Sequence, residues 1–424
     1  MDNLSNELPK NKTICLPFEE KEYISLVNNS RKFRAYLDRM REDFPELLPP
    51  EIANGYRMKD VRSSRKLGLP IRRIAIGKTS YSIRPSFVMP YMAGNTDDVE
   101  KPLFLRKFAV PFWALAHVFG HDAMYWYRLE RSLGRNSLVG TTVNDPENLP
   151  ADLCADEKHS WLKGERVYLA TTVGDSCVLG VGIAQGADVT ALEPAYGRFK
   201  QEAQLLKPGY SPQSVNIDGW EATKNAWLAL FPKVTIILCL LHIFIAIRDR
   251  TKRKYKEIFA VVADKLWHAY RATGRQFFSQ RVRRLYAWAR RAALPAVIVD
   301  KLAKLHRNLD AYAAAYRFRN AHRTSNMLDR LVRLLDRQLF AMQYFHRSLA
   351  AAKLTIRALA LIYNFAPWNP ATVRQRRFTC PAHMLNRSYY HKSWLQNLLI
   401  SASLGGYLHP SPKTVTMSIS LSTV

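Results

Sequence analysis

The rhythm of apolar and polar positions changes several times along the chain, and each change predicts an element. Up to about residue 100 the chain is rich in Pro, Asn and charge, and the clear pattern is Phe33, Tyr36, Leu37 and Met40 at helical spacing, predicting a helix over 31–41. No fold is assigned to the rest of 1–100. From Pro111, which suits a first helical turn, Ala114, Leu115 and Val118 keep helical spacing, Gly120 breaks the run, and a second helix is expected over 122–133. Between Leu149 and Arg250 the pattern becomes strand-like. Strands are expected at 153–156, 166–173 and 177–184, with Gly174-Asp175 as the turn between the last two. A helix over 196–206, a strand over 214–218, a helix over 221–230 and a strand over 234–240 follow. The longest apolar run, 234–247, is shorter than the ~20 residues a bilayer span needs and reads as a buried strand entering a helix. Further on, Ile298, Leu302, Leu305, Leu309, Tyr312 and Tyr316 recur at three and four, predicting one long amphipathic helix whose stripe is core. The last dozen or so residues, rich in Ser and Thr, read as a disordered tail.

The resulting order, βββαβαβα, is what a ribonuclease H-like α/β core requires: a mixed sheet flanked by helices. The expected plan is an N-terminal region of unassigned fold (1–100), a helical segment (101–148), the first part of the core (149–248), a basic helical insertion (249–320), the last part of the core (321–365) and a C-terminal region (366–424).

Charge narrows the partners. The 424 residues carry 63 Lys+Arg against 35 Asp+Glu, a net +28, while 48% hydrophobic content is normal for a folded protein. A folded cation of this size is expected to face a polyanion, and nucleic acid leads because Lys and Arg displace counterions from phosphates. A membrane surface or an acidic protein satisfies the same electrostatics. Arg248, Arg250, Lys252, Arg253 and Lys254 open a stretch in which arginines alternate with Trp267, Tyr270, Phe277, Phe278, Tyr286 and Trp288. That stretch reads either as an insertion gripping DNA or as the solvated face of packed helices. The helices around Gly120 likewise read either as a helix-turn-helix presenting Tyr125, Tyr127, Arg128 and Arg131 to DNA or as a packing hairpin. Five scattered cysteines without a repeated CxxC spacing indicate neither a disulfide framework nor a zinc ribbon and fit a reducing interior. The N-terminus has no apolar stretch of the secretory kind, and a cytoplasmic, nucleoid-associated location is expected if the protein is bacterial.

Moving a phosphodiester takes two divalent cations about 4 Å apart, commonly held by carboxylates. Asp156 ends the first expected core strand and Asp218 the fourth. These strands are neighbours in a ribonuclease H-like sheet, so the two carboxylates are expected side by side; the plainer reading of either is a helix cap or turn residue. Glu157, Lys158 and His159 follow Asp156 and read either as groups able to touch the scissile phosphate or as a plain polar loop.

Asp218-Gly219-Trp220, then Leu230-Phe231-Pro232, then Cys239-Leu240-Leu241-His242 resembles the second-aspartate region and C-x2-H signature of Mutator-like and related bacterial insertion-sequence transposases. Arg323-Thr324-Ser325-Asn326-Met327-Leu328-Asp329-Arg330 resembles the R-T-x-N-x-x-E-R helix that carries the third acid of that group. The likeness spans roughly 149–345. It implies a DDE/DDD transposase: catalytic, metal-holding Asp156, Asp218 and Asp329, Mg2+ or Mn2+, double-stranded DNA at element ends and target, and a dimer or higher assembly on DNA. One departure is that the third acid is Asp where the family has Glu; Asp336, two turns along the same helix face, is the reserve. The expected DNA contacts are Arg128, Arg131, Arg248, Arg250, Lys252, Arg253, Lys254, Arg323 and Arg330. For Cys239 and His242 the resemblance implies shaping of the core and of the DNA strand beside the acids, against a plain buried Cys and His; no second pair stands nearby to complete a zinc site. Two rival activities remain open: a transposase-derived DNA-binding protein that does not cut, and a nuclease on the same core.

Overall fold

A computed structural model of the chain describes residues 11–65, 67–92, 94–251 and 255–407, with the side chains of Met327, Asp329 and Arg330 outside the description. The expected disordered tail and the basic residues Lys252, Arg253 and Lys254 lie outside the described residues. The chain is mixed α/β, with sheets flanked by helices.

The first hundred residues fold into a four-stranded sheet of order β1-β4-β3-β2, made of β1 (Thr13–Leu16), β2 (Arg57–Ser64), β3 (Leu69–Ile76) and β4 (Thr79–Pro85). The helix expected over 31–41 is present as Ser30–Asp43, and Asn29 caps it by accepting the Lys32 N–H. Its inward residues Phe33 and Tyr36 stack on Phe18 of the preceding segment, Phe33 meets Tyr23 edge-on, and Leu37 is buried in the same core. This unit packs on the C-terminal helices. The Cys15 N–H reaches Ser403 Oγ at 3.1 Å and Ser86 Oγ donates to Gln396 at 2.7 Å, so both ends of the chain share one apolar core.

A five-stranded sheet has the order β7-β6-β5-β8-β9, from β5 (Asp152–Leu162), β6 (Glu165–Gly174), β7 (Cys177–Ala184), β8 (Ser214–Ile217) and β9 (Thr235–Leu238). β5, β6 and β7 are antiparallel; β8 and β9 run parallel to β5. Two expectations need correction. β5 does not stop at Asp156: it continues through the charged run to Leu162, because its ladder with β6 persists to Leu162 opposite Glu165. The turn between β6 and β7 is Asp175-Ser176, both at positive φ, while Gly174 is still strand. The helix expected from 196 begins earlier, at Val189, and holds Pro194; Asp188 caps it by accepting the Ala191 N–H at 3.0 Å.

Helices Val189–Leu206 and Glu221–Leu230 cover one face of this sheet. The first approaches closely, since a methyl group on Gly182 would come within 2.3 Å of the Ala195 carbonyl oxygen. On the other face lie helices Leu349–Phe365 and Asn326–Ala341.

After β9, helices Leu240–Thr251, Lys256–Tyr270, Arg275–Arg291 and Ala296–Arg307 enclose a separate core built on Ile247, Val262, Leu266, Phe278, Val282 and Leu302. The long helix expected from 298 to 316 is broken at Asn308 and resumes as Leu309–Ala313, although its apolar stripe turns inward as the spacing implied. The pair around Gly120 forms as Phe112–Phe119 and Ala123–Leu133. The second helix buries Trp126, Leu129 and Leu133 against Leu349–Phe365. No single helix among the described residues is long and apolar enough to cross a membrane.

Candidate functional site

The site begins where β5 and β8 lie side by side. Their parallel ladder pairs Asp152 with Ser214, Leu153 with Val215 and Cys154 with Asn216. Asp156 and Asp218 each stand two residues beyond the last pair, and with a two-residue side-chain period both project to the face that carries Cys154 and Asn216. Local hydrogen bonds fix both carboxyls: Asp218 Oδ1 accepts the Trp220 N–H at 2.7 Å across the turn at Gly219 (φ 94°), and Asp156 Oδ1 accepts the Glu157 N–H at 2.9 Å.

Segment 322–325 is bound to the ends of the parallel strands on that face. Asn216 Nδ2 donates to the His322 carbonyl at 2.9 Å, and the Ser325 N–H reaches Cys239 Sγ at 3.2 Å. Helix Asn326–Ala341 therefore starts beside Asp218 and runs along β5, where Asp336 pairs with Lys158 at 3.0 Å and Phe345 bridges to Leu162. Asp329 occupies the first turn of this helix, so the backbone brings it to the same end of the sheet as Asp156 and Asp218. Asp336, the reserve acid, is further along and already ion-paired.

Three neighbours register the field of the two acids. Burial pushes the Glu157 carboxyl up to about 7, opposed by hydrogen bonds from Tyr196 and Thr223 and reinforced by the charges of Asp156 and Asp218. Burial also raises the Tyr196 hydroxyl, with Glu157, Asp156 and Asp218 adding to the effect. For His242 burial works against the charged form, but the hydrogen bond and charge of Cys239, together with Asp156 and Asp218, outweigh it and lift the ring to about 9. Cys239 moves the opposite way: despite burial, bonding to His242 and Ser325 lowers its thiol. The His242 Nδ1 is buried without a hydrogen-bond partner.

No family model matches the chain, and no curated protein matches it. The site is therefore read from its own geometry.

Glu157, expected in a polar loop beside Asp156, is strand and points to the opposite face, accepting from Tyr196 Oη and Thr223 Oγ1, each at 2.7 Å. Sequence reasoning missed the side this group faces because it ended the strand at Asp156, six residues before Leu162; continued alternation would have assigned it to the helix-covered side. Lys158, on the Asp156 face, holds Asp336. Among the described residues no three His, Cys, Asp or Glu side chains form a metal-holding group, and the Asp329 side chain lies outside them. For Cys239 and His242 this leaves a buried thiol bonded to Ser325 and a half-buried ring, between the acids and segment 322–325.

The basic residues fall into different situations. Arg128 is exposed, and Arg131 packs its guanidinium 5.1 Å from the Tyr127 ring. Arg248 and Arg250 are exposed, with Arg248 3.1 Å from Asp249. Arg323 faces inward: Nη1 donates to the Tyr270 carbonyl at 2.8 Å and to Tyr316 Oη at 3.1 Å, tying the insertion to the segment ahead of helix Asn326–Ala341. Arg283, Arg284, Arg290 and Arg291 line the outer side of Arg275–Arg291.

Proposed function

We propose that this protein is a DNA transposase of the DDE/DDD type on a ribonuclease H-like core. One observation carries the reading: Asp156 on β5 and Asp218, just past the end of the adjacent parallel β8, stand level on the face where the helix bearing Asp329 begins. The sheet order, with three antiparallel strands followed by two parallel ones, supports the core assignment, and the net charge of +28 supports a polyanionic substrate.

Asp156, Asp218 and Asp329 are the residues to hold divalent cations. The donor set fits hard cations, being carboxylate oxygens alone, and the shared field that raises Glu157 and His242 is one such cations neutralise. Mg2+ or Mn2+, when bound, supplies activation of the attacking oxygen and neutralisation of charge on the leaving one. The protein's own part is positional. Hydrogen bonds to Trp220 and Glu157 hold two carboxyls at fixed strand positions, Cys239 anchors the start of the third acid's helix, and protonated His242 adds a positive charge beside them. The substrate is double-stranded DNA at the ends of a mobile element, cut to expose a 3′-hydroxyl that then attacks target DNA in line. The exposed arginines of 275–291 and Arg128 and Arg131 hold the flanking backbone, and joining two ends calls for at least two copies of the chain.

The test is a cleavage and strand-transfer assay with Mg2+ or Mn2+ on DNA carrying the sequences that flank the gene. Wild type gives cut and joined products, and Asp156→Asn and Asp218→Asn give neither. Binding without metal-dependent products points to a transposase-derived DNA-binding protein, a reading favoured by the shorter third acid; cutting without joining points to a nuclease.

A further inference from the structure

The hairpin formed by β5 and β6 is covered on one face only. Leu162, Val167 and Leu169 lie under Leu328, Leu331, Leu335 and Leu339 of helix Asn326–Ala341. On the reverse face the covering helices end at Glu157, which Tyr196 and Thr223 hold. Beyond it the face is open: His159, Trp161 and Arg166 are exposed and Tyr168 is half-buried, with Trp161 keeping 40% of its surface in solvent.

These open residues form a row. His159 lies opposite Tyr168 and Trp161 opposite Arg166 in the ladder. The His159 and Tyr168 rings are 4.9 Å apart, Tyr168 and Trp220 5.8 Å, and the Arg166 guanidinium lies 5.6 Å from the Trp161 ring. Trp220 is itself bonded to the Asp218 carboxyl through its backbone N–H. Planar groups thus run from Trp220 out to the hairpin tip, on the face opposite the Asp156 and Asp218 carboxyls, and at the tip Lys163 is exposed beside Glu165.

We propose that this row is a stacking platform for unpaired DNA bases, receiving a melted or displaced strand on the sheet face opposite the acids. The proposal rests on the transposase reading for its substrate, but the platform chemistry stands on the side chains. Rings that keep part of their surface in solvent accept any base, while Arg166 and Lys163 favour the phosphates between bases. A protein partner would be expected to bury aliphatic side chains as well, and this face offers rings and charges.

The experiment uses the full-length protein in EDTA, so that nothing is cut, and single-stranded DNA carrying 2-aminopurine, whose fluorescence falls when it stacks. Wild type and Asp156→Asn both quench the probe, which separates this test from the fate of the catalytic reading. Trp161→Ala and Tyr168→Ala weaken binding of the single strand roughly tenfold each and relieve quenching, while Trp161→Phe and Tyr168→Phe restore both. Affinity for the same sequence as a blunt duplex stays unchanged. Wild-type affinity and quenching in correctly melting Ala variants overturn the proposal, and so does an equal loss on duplex and single strand.

Discussion

Asp156 and Asp218 lie level with each other, each two residues past the paired Cys154 and Asn216, and both raise the pKa of Glu157 and His242. Two like charges at level positions on neighbouring chain segments destabilise a metal-free protein and favour a cation between them. Asp156→Asn and Asp218→Asn should therefore melt slightly higher than wild type in EDTA. Added Mn2+ should stabilise wild type, by about 2.7 kcal/mol at roughly a hundred times its Kd, and neither variant. Differential scanning fluorimetry across a Mn2+ series reads this, and an undiminished shift in either variant removes that residue as a ligand.

The two acids on helix Asn326–Ala341 should behave differently. Asp336 pairs with Lys158 at 3.0 Å and both are partly exposed, so Asp336→Asn should cost under about 1 kcal/mol and leave cleavage within a few-fold of wild type. Asp329→Asn should reduce cleavage by orders of magnitude, and Asp329→Glu should retain it. Loss of activity in Asp336→Asn alone would transfer the third role to Asp336.

Glu157 supplies a pH signature. Its carboxyl rises from 4.5 in the unfolded chain to about 7 in the folded one, chiefly through burial. A carboxyl raised on folding adds stability below pH 4.5 and loses it as pH climbs through 7. Glu157→Gln keeps an acceptor for Tyr196 and Thr223 without the charge. It should gain on wild type by about 2–3 kcal/mol between pH 4.5 and pH 8 in EDTA. Parallel stability curves for the two proteins would contradict the burial of an ionisable group there.

Arg106 and Glu130 join helix Thr96–Arg106 to helix Ala123–Leu133 through a 2.5 Å contact in which neither side chain is more than 1% exposed. Removing one partner strands the other charge in the core, so Glu130→Ala should destabilise by about 3–5 kcal/mol. Arg106→Met combined with Glu130→Leu should recover much of that in urea denaturation. A double variant as unstable as the sum of its single changes would show that the surrounding bonds, from Arg106 to Val110 and from Gln338 to Arg106, matter more than the pair.

Helix Glu221–Leu230 was legible to the residue, and β7 likewise, because apolar periodicity and flanking Pro and Gly set their limits. The register of Asp156 and Asp218 was legible too, through the order of the strands. Other features depended on long-range pairing. Polar residues 157–159 look like a loop locally, and only the partner strand β6 shows that they continue β5. The fold of 1–100 stayed hidden because its sheet joins β1 to β4 in parallel across the intervening residues 17–78, and its core is completed by C-terminal helices. Nothing local marked Arg323 as an anchor on Tyr270 and Tyr316, since its partners come from the insertion.

The central claim is that Asp156, Asp218 and Asp329 share a pair of cations. Crystals of the protein soaked in MnCl2 and measured at the manganese edge test it directly. The account predicts two anomalous peaks about 4 Å apart, one bridged by Asp156 and Asp218 and Asp329 contacting at least one of them. Manganese bound elsewhere with these carboxylates bare, or Asp329 turned away from both peaks, would contradict it.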